Sequence, residues 1–226
     1  MKADARINAD FSRRVVIATD RMFWMPSPEM GVERRMLDRI GGEVARATSL
    51  VRYAPDSRFQ AHDHELGEEF LVLEGVFSDE HGDYPAGTYV RNPPGSRHAP
   101  YTAPGCTILV KLRQMPATES RRVVINTRRA CWQRGGSDAH SRLVLHVAPN
   151  GTELVTLERL NAGATLPADD CPGGEELFIL SGSLADRESD YGAGTWMRSP
   201  AGYRRAGMMA EGGATIWVKR GHLPGA

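Results

Sequence analysis

The stretch His62-Asp63-His64-Glu65-Leu66-Gly67-Glu68 opens an apolar run that ends at Gly75, and it is the most informative part of this 226-residue chain. His62 and His64 are two positions apart, so their side chains share one face of an extended strand. A second segment, Gly87 to His98, adds another imidazole after a turn-rich run. Three imidazoles and one carboxylate directed at a common point form a cation site. We therefore predict metal ligands at His62, His64, Glu68 and His98.

The intervals between these residues resemble the two sequence motifs of the cupin superfamily. In the first motif, Gly-x5-His-x-His-x3-Glu-x6-Gly, the chain matches every position except the leading glycine, which is replaced by Asp56. In the second, Gly-x5-Pro-x-Gly-x2-His-x3-Asn, the chain has Thr102 in the last position and matches through Gly87, Pro93, Gly95 and His98. Neither departure touches a candidate ligand. The resemblance implies a jelly-roll-like β-barrel, or double-stranded β-helix, around a metal ion.

The second half of the sequence repeats the first. Residues 67–98 align without a gap with residues 174–205, and 15 of the 32 positions are identical. Farther out the offset becomes 108, and Arg14-Val15-Val16-Ile17 returns as Arg122-Val123-Val124-Ile125. Repetition over nearly the entire chain predicts two copies of one fold. We expect an N-terminal tail at 1–13, a metal-binding cupin domain at 14–115 and a degenerate, metal-free cupin domain at 116–226.

Local patterns within each copy are typical of strands. Residues 47–53 are rich in β-branched and aromatic side chains and are followed by the turn sequence Ala54-Pro55-Asp56-Ser57. Short strands separated by frequent turns favour a sandwich or a closed barrel. Residues 30–39 are compatible with a helix, but their repeat at 140–147 alternates like a strand. We therefore predict strands for both segments and an all-β fold of two tandem cupin domains.

The two copies differ at the predicted ligand positions. In the second copy the four equivalent residues are Asp169, Cys171, Glu175 and Arg205. A guanidinium group stays protonated and has no lone pair to donate to a metal. We predict that Arg205 occupies the second cavity and pairs with Glu175 or Asp169, in place of a cation. The remaining histidines are interpreted as ordinary core or surface groups, namely His81, His140, His146 and His222.

Composition limits the classes of partner and compartment. Lys and Arg number 28, as do Asp and Glu, so no net charge favours nucleic acid or an anionic membrane surface. No apolar run resembles a signal peptide or a membrane span. Three widely spaced cysteines are more typical of a reducing compartment than of a disulfide framework. We expect a cytoplasmic protein without nucleic-acid or membrane partners, and a homodimer is compatible with exposed strand edges.

The ligand set alone does not select a metal or a function. Three imidazoles and a carboxylate suit Zn, Fe(II), Mn, Ni or Cu. Four protein ligands close a tetrahedral zinc site, whereas six-coordinate iron or manganese keeps two positions open. The residues therefore support either a closed regulatory site or an enzyme. No general base beyond Glu68 is evident, so catalytic residues stay unassigned.

Two longer runs resemble the cupin-like domain of ChrR-type anti-sigma factors. They extend from Gly67 to Glu80 and from Tyr84 to His98, and the strand at 109–114 adds to the likeness. The resemblance implies one zinc ion on His62, His64, Glu68 and His98, with Fe(II), Mn and Ni as alternatives. It also implies a role in the transcriptional response to singlet oxygen or related stress.

One feature of the ChrR family is missing from the sequence. The family binds its sigma factor through a separate helical domain with a His-x3-Cys-x2-Cys zinc motif. This chain contains no Cys-x2-Cys, and we expect the sigma-binding domain to be absent. Two hypotheses follow. The first is a zinc-holding sensor or regulatory module acting through a small molecule or a protein partner. The second is a metal-dependent Fe or Mn dioxygenase that cleaves a small carbonyl or phenolic substrate.

Overall fold

The fold is described by a computed structural model covering residues 5–223. Strands account for nearly all of its regular structure, with one short 3-10 helix at Thr19–Arg21 and no α-helix within this range. The strands of the first half are β1 (Ala5–Ile7), β2 (Val15–Ala18), β3 (Met25–Pro26), β4 (Val32–Gly41), β5 (Ala45–Tyr53), β6 (Ser57–Arg58), β7 (His62–His64), β8 (Glu68–Asp79), β9 (Gly82–Pro85), β10 (Thr88–Asn92), β11 (Ser96–His98), β12 (Tyr101–Thr102) and β13 (Cys106–Leu112). Those of the second half are β14 (Val123–Asn126), β15 (Gln133–Arg134), β16 (His140–Val147), β17 (Leu154–Leu160), β18 (Ala164–Leu166), β19 (Glu175–Ala185), β20 (Asp190–Gly192), β21 (Thr195–Ser199), β22 (Met208–Ala210) and β23 (Ala214–Arg220).

The all-β prediction is confirmed, and so are the strands predicted at 30–39 and 140–147, which correspond to β4 and β16. No helix between residues 5 and 223 has the length and apolar character needed to cross a membrane.

The chain divides into two compact units. Unit 1 contains residues 5–9 and Phe23–Ala130, and unit 2 contains Asp10–Met22 and residues 131–223. The units therefore differ from the contiguous ranges 14–115 and 116–226, because residues 14–22 belong to unit 2 and residues 116–130 belong to unit 1. Strand β1 lies inside the segment expected to be a tail and pairs with β4.

Each unit contains one large antiparallel sheet, and the strand orders correspond. The order in unit 1 is β1-β4-β5-β13-β8-β10-β14, and in unit 2 it is β15-β16-β17-β23-β19-β21-β2. One edge is therefore formed by β14 in unit 1 and by β2 in unit 2, where they pair with β10 and β21. These two edge strands carry the same repeated Val-Val-Ile sequence.

Strand β8 runs through two sheet layers of unit 1. Its first half pairs with β10 and β13, and its second half pairs with β9. The register with β13 shifts between Val72 and Glu74, and Gly75, which follows, has φ +70°. A Cβ atom at Gly75 would overlap the carbonyl oxygen of Gly105, so both the backbone angle and the space require glycine here. Gly182 in β19 has the same relation to Gly213.

An apolar core fills the interior of each unit. In unit 1 it consists of Val32, Val51, Phe70, Val72, Phe77, Tyr84, Val90, Cys106, Ile108 and Val110. In unit 2 it includes Leu160, Leu166, Leu177, Ile179, Leu184, Met197, Met208, Ile216 and Val218. The ring centroid of Phe77 lies 5.8 Å from that of His98, so the first core borders the predicted metal ligands.

Candidate metal centre

A two-stranded ribbon and the start of β8 bring the predicted ligands together. Strands β7 and β11 pair antiparallel, with His62 opposite His98 and His64 opposite Ser96. His62 and His64 share a face of β7, as their spacing predicts. Glu68 is the first residue of β8 and follows Gly67, whose φ of +76° turns the chain back towards the ribbon. Each ligand is therefore placed by backbone pairing or by a tight turn.

The four side chains converge on one point. One possible ligand atom from each of His62, His64, Glu68 and His98 lies within 4.8 Å of all the others. The imidazole centroids are 4.7 to 5.0 Å apart. Oε2 of Glu68 lies 3.5 Å from Nε2 of His64 and 3.6 Å from Nε2 of His98. Metal–ligand bonds of about 2.0–2.2 Å hold neighbouring donor atoms about 3–4 Å apart, so small side-chain adjustments would complete a coordination sphere.

His64 supplies the observation that tests the fit of a cation. Its Nε2 is buried and has no hydrogen-bond partner. An unsatisfied buried polar atom costs about 1–3 kcal/mol, and a metal ion would provide the missing partner. Burial is the main cause that lowers the pKa of His64, which keeps its imidazole neutral and its lone pair available. Within residues 5–223 this is the one group of three or more candidate ligands that meets at a point.

Asp79 orients the third imidazole. Its Oδ2 lies 3.2 Å from Nδ1 of His98, while Tyr84 Oη and the backbone N–H of His81 donate to Oδ1 at 2.8 Å. Burial would raise the pKa of Asp79, but these hydrogen bonds outweigh it and lower the pKa to about 2. Burial would lower the pKa of His98, but the bond to Asp79 and the charge of Glu68 raise it. A carboxylate on Nδ1 leaves Nε2 of His98 directed at the cluster.

Two further contacts hold Glu68 and His62. Asn92 donates from Nδ2 to Oε2 of Glu68 at 3.2 Å. Nδ1 of His62 lies 3.1 Å from the carbonyl oxygen of Gln60. His62 is exposed, whereas His64, Glu68 and His98 are buried. The cluster is therefore closed towards the core and reached from solvent on the His62 side.

Sequence reasoning missed Asp79 and Asn92. Asp79 precedes the exposed residues Glu80 and His81, but it is itself only 3% exposed. The internal repeat contained a usable signal. Asp79 and Tyr84 are identical to Asp186 and Tyr191, and in unit 2 the Tyr191 hydroxyl again lies within 3.2 Å of the Asp186 carboxylate. Asn92 has no such signal, because its counterpart is Ser199.

In unit 2, an arginine pairs with the equivalent glutamate. Nε of Arg205 donates to Oε1 of Glu175 at 2.6 Å, and Asp169 forms a backbone bridge with Arg205. Arg220 faces the same carboxylate, with Nε 2.9 Å from Oε2 of Glu175. The predicted pairing of Arg205 with Glu175 is confirmed. Asp169 instead forms its ion pair with Nε of Arg220, at 3.2 Å.

Cys171 carries a protonated thiol in unit 2. Its side chain is buried, and burial, with the charges of Glu175 and Asp169, raises the pKa of the thiol to about 12. Metals bind the thiolate and not the thiol. A metal-free second unit, with Asp169, Cys171, Glu175 and Arg205 as a degenerate site, stays a prediction.

The other singled-out residues lie away from the cluster. Glu69 accepts hydrogen bonds from Tyr89 and Arg91, on the opposite face of β8 from Glu68. The interpretation of the remaining histidines as ordinary core or surface groups agrees with their surroundings. Nε2 of His140, His146 and His222 lies 2.8, 3.8 and 2.9 Å from Glu158, Glu153 and Glu176, and His81 is exposed.

Comparison with known proteins identifies a family and a fold. Residues 12–116 and 120–224 each match the family described as the ChrR Cupin-like domain. A Nostoc punctiforme protein described as a "putative dioxygenase" superposes with a TM-score of 0.78 at 15% identity, covering 95% of this chain and 85% of that one. The Escherichia coli protein YlbA gives a TM-score of 0.69 at 16% identity, with coverage of 99% and 97%. The bacterial pirin YhhW of Escherichia coli, solved with nickel(II), gives 0.65 at 10% identity, with coverage of 95% and 100%. No curated protein matches the sequence.

Proposed function

This chain belongs to the ChrR cupin-like family and contains two of its domains in tandem. We propose that it is a metal-binding protein that holds one divalent ion in unit 1. His62, His64, Glu68 and His98 would be the ligands. The carrying observation is the buried, unpartnered Nε2 of His64 at the centre of four converging ligand atoms. Unit 2 would bind no metal, because Arg205 already neutralises Glu175.

The residues around the ligands would fix the directions from which the ligands coordinate the ion. Asp79 would hold His98 with Nε2 towards the metal, and Asn92 would direct Oε2 of Glu68 to the same point. Such outer contacts raise the affinity of a metal site by about 10–100-fold. A bound divalent ion would supply a positive charge and a Lewis acid. The protein's part is to bring three imidazoles and one carboxylate to a common point around it.

The role we favour is that of a zinc-holding sensor or regulatory module. Four protein ligands complete the tetrahedron of zinc, which needs no further ligand. The ligand set contains no residue free to act as a general base, because Glu68 would itself bind the metal. A family likeness to ChrR supports a role in an oxidative-stress response, exercised through a protein or small-molecule partner.

A dioxygenase is the second candidate, and the exposure of His62 favours it. A centre that opens to solvent on one side allows a six-coordinate Fe or Mn ion to exchange two ligands. The description of the Nostoc punctiforme protein points the same way. A small carbonyl or phenolic substrate would then approach on the His62 side.

Metal analysis and oxygen uptake separate the two candidates. We expect elemental analysis of the protein, purified from its native host without added metal, to give one zinc per chain, and we expect His98→Ala to reduce it below one tenth. No oxygen uptake should accompany zinc with a panel of diketones and phenols. One iron or manganese per chain, together with oxygen uptake that disappears in His98→Ala, would support the dioxygenase and exclude the regulatory role. A full complement of metal in His98→Ala would overturn the proposed centre.

A further inference from the structure

Unit 2 contains a cavity at the positions equivalent to the metal centre of unit 1. Its volume is about 260 Å³, and its lining includes Arg142, Asp169, Arg205 and Arg220. Asp169 and Arg205 are the counterparts of His62 and His98. We propose that this cavity binds a small organic carboxylate through the guanidinium groups of Arg142 and Arg205. The proposal concerns a different site from the metal centre and does not depend on it.

Three ionisable residues in the lining of this cavity stand at positions that are apolar in unit 1. The strand registers place His140, Glu158 and Arg220 where unit 1 has Val32, Val51 and Leu112. Nε2 of His140 lies 2.8 Å from one oxygen of Glu158, and Arg220 donates to the other at 2.9 Å. Buried ionic groups are often no more stabilising than apolar residues of similar volume. The replacement makes the lining of the cavity polar, which suits a polar ligand.

The carboxylates of the cavity are already engaged by the protein. Glu158 accepts from Thr156 as well as from His140 and Arg220. Burial would raise the pKa of Glu158, but the neighbouring arginines and His140 lower it, so it stays ionised. Asp169 and Glu175 form ion pairs with Arg220, and Glu175 also pairs with Arg205. A cationic ligand would have to break these pairs.

Guanidinium donors, in contrast, remain for a ligand. Nε of Arg142 is buried and has no hydrogen-bond partner, and Nη2 of the same residue is 3.4 Å from Glu158. Arg205 uses Nε for Glu175 and Nη1 for the carbonyl oxygen of Ala206, which leaves its Nη2 without a partner among the described residues. Each guanidinium offers five N–H groups in a planar fork that matches the two oxygens of a carboxylate. The side chain of Arg142 is 37% exposed, so the cavity can be reached from solvent.

Calorimetric titration of the full-length chain tests the proposal. The probes are acetate, malonate, glutarate and benzoate at constant ionic strength, with sodium chloride as the reference titration. We expect saturable binding of at least one probe, with one site per chain. Arg142→Gln should weaken that binding at least tenfold, and Arg142→Lys should weaken it less, because it keeps the charge and loses the fork.

Two controls locate the binding site. Arg34→Gln changes the counterpart of Arg142 in unit 1 and should leave carboxylate affinity unchanged. His98→Ala removes a predicted metal ligand and should also leave carboxylate affinity unchanged. This control distinguishes binding in the cavity of unit 2 from binding of the carboxylate to a metal in unit 1. Arg142 is partly exposed, and circular dichroism and thermal melting of both its variants verify the fold. Absence of saturable binding for all four probes, retention of wild-type affinity by folded Arg142 variants, or loss of binding in His98→Ala would each overturn the proposal.

Discussion

Arg205 in unit 2 stands where His98 stands in unit 1, and each faces the glutamate that begins the equivalent strand. Nε2 of His98 lies 3.6 Å from Glu68, whereas Nε of Arg205 lies 2.6 Å from Glu175. The guanidinium provides a permanent positive charge next to its carboxylate. Unit 1 has no guanidinium at this position, and its carboxylate and imidazoles form a group that could hold a metal ion.

Replacement of Arg205 by histidine should not create a second metal site. Arg220 would still pair with Glu175, and Cys171 would remain a protonated thiol. We expect Arg205→His to contain the same amount of metal per chain as the unmodified protein, measured by elemental analysis after equilibration with excess zinc and gel filtration. A gain of one metal per chain would contradict this prediction.

Asp79→Asn should weaken metal binding. An asparagine retains the size of the side chain but loses the negative charge that holds Nδ1–H of His98, and such changes cost about 10–100-fold in affinity. Competition titration against a zinc chelator measures the effect. Asp186→Asn is the matched control, because it changes the same position of the repeat in unit 2 and should leave zinc affinity unaltered. Equal losses in both variants would show that the effect is not local.

Asp79 should also contribute to acid unfolding of the metal-free protein. Its folded-state pKa of about 2 lies below the ordinary value of 3.8. The stabilisation is therefore present above about pH 4 and is lost as the pH falls towards 2, with a size of about 2 kcal/mol. Urea unfolding at a series of pH values should show this loss in the unmodified protein.

Substitution of Asp79 isolates that contribution. In Asp79→Asn the decrease in unfolding free energy between pH 4 and pH 2 should be smaller by about 2 kcal/mol. The exposed Asp138, with 86% of its side chain accessible, offers a control, and Asp138→Asn should retain the full decrease. The assignment fails if the pH profiles of the unmodified protein and Asp79→Asn run parallel.

Gly75→Ala should destabilise unit 1 by about 2–4 kcal/mol, since the added methyl group would meet the backbone at Gly105 and the residue has φ +70°. Thermal melting compares this variant with Gly42→Ala, whose Cβ would have no neighbour within 4 Å. A melting temperature for Gly75→Ala equal to that of Gly42→Ala would contradict the steric account.

Three ligands of the metal cluster were predictable from a local signal, and His98 was predictable from its place in the second cupin motif. The spacing of His62 and His64 on one strand is a property of extended backbone, and the interval to Glu68 spans a single tight turn. The pairing of Arg205 with Glu175 was also predictable, since the repeat superimposes them on His98 and Glu68. Asn92 was missed because its role depends on a contact with Glu68, 24 residues earlier, which a residue pattern does not record. Asp79 was missed although the repeat preserves it with Tyr84, because its contact with His98 appears only in the folded chain.

Residue order, the internal repeat and the likeness to the cupin motifs were sufficient to predict two all-β copies and the four candidate ligands, because strand periodicity acts over a few residues and the motifs fix the ligand intervals. They could not establish which sheet receives each Val-Val-Ile strand. Val15–Ile17 and Val123–Ile125 are identical, so neither can prefer β10 over β21 through its own side chains. Folding assigns β2 to unit 2 and β14 to unit 1. The pairing of these strands depends on contacts between segments that are distant in the sequence, and so does the lining of the cavity in unit 2. The free energy of such pairing is set by the packing of the assembled sheet and not by the local sequence.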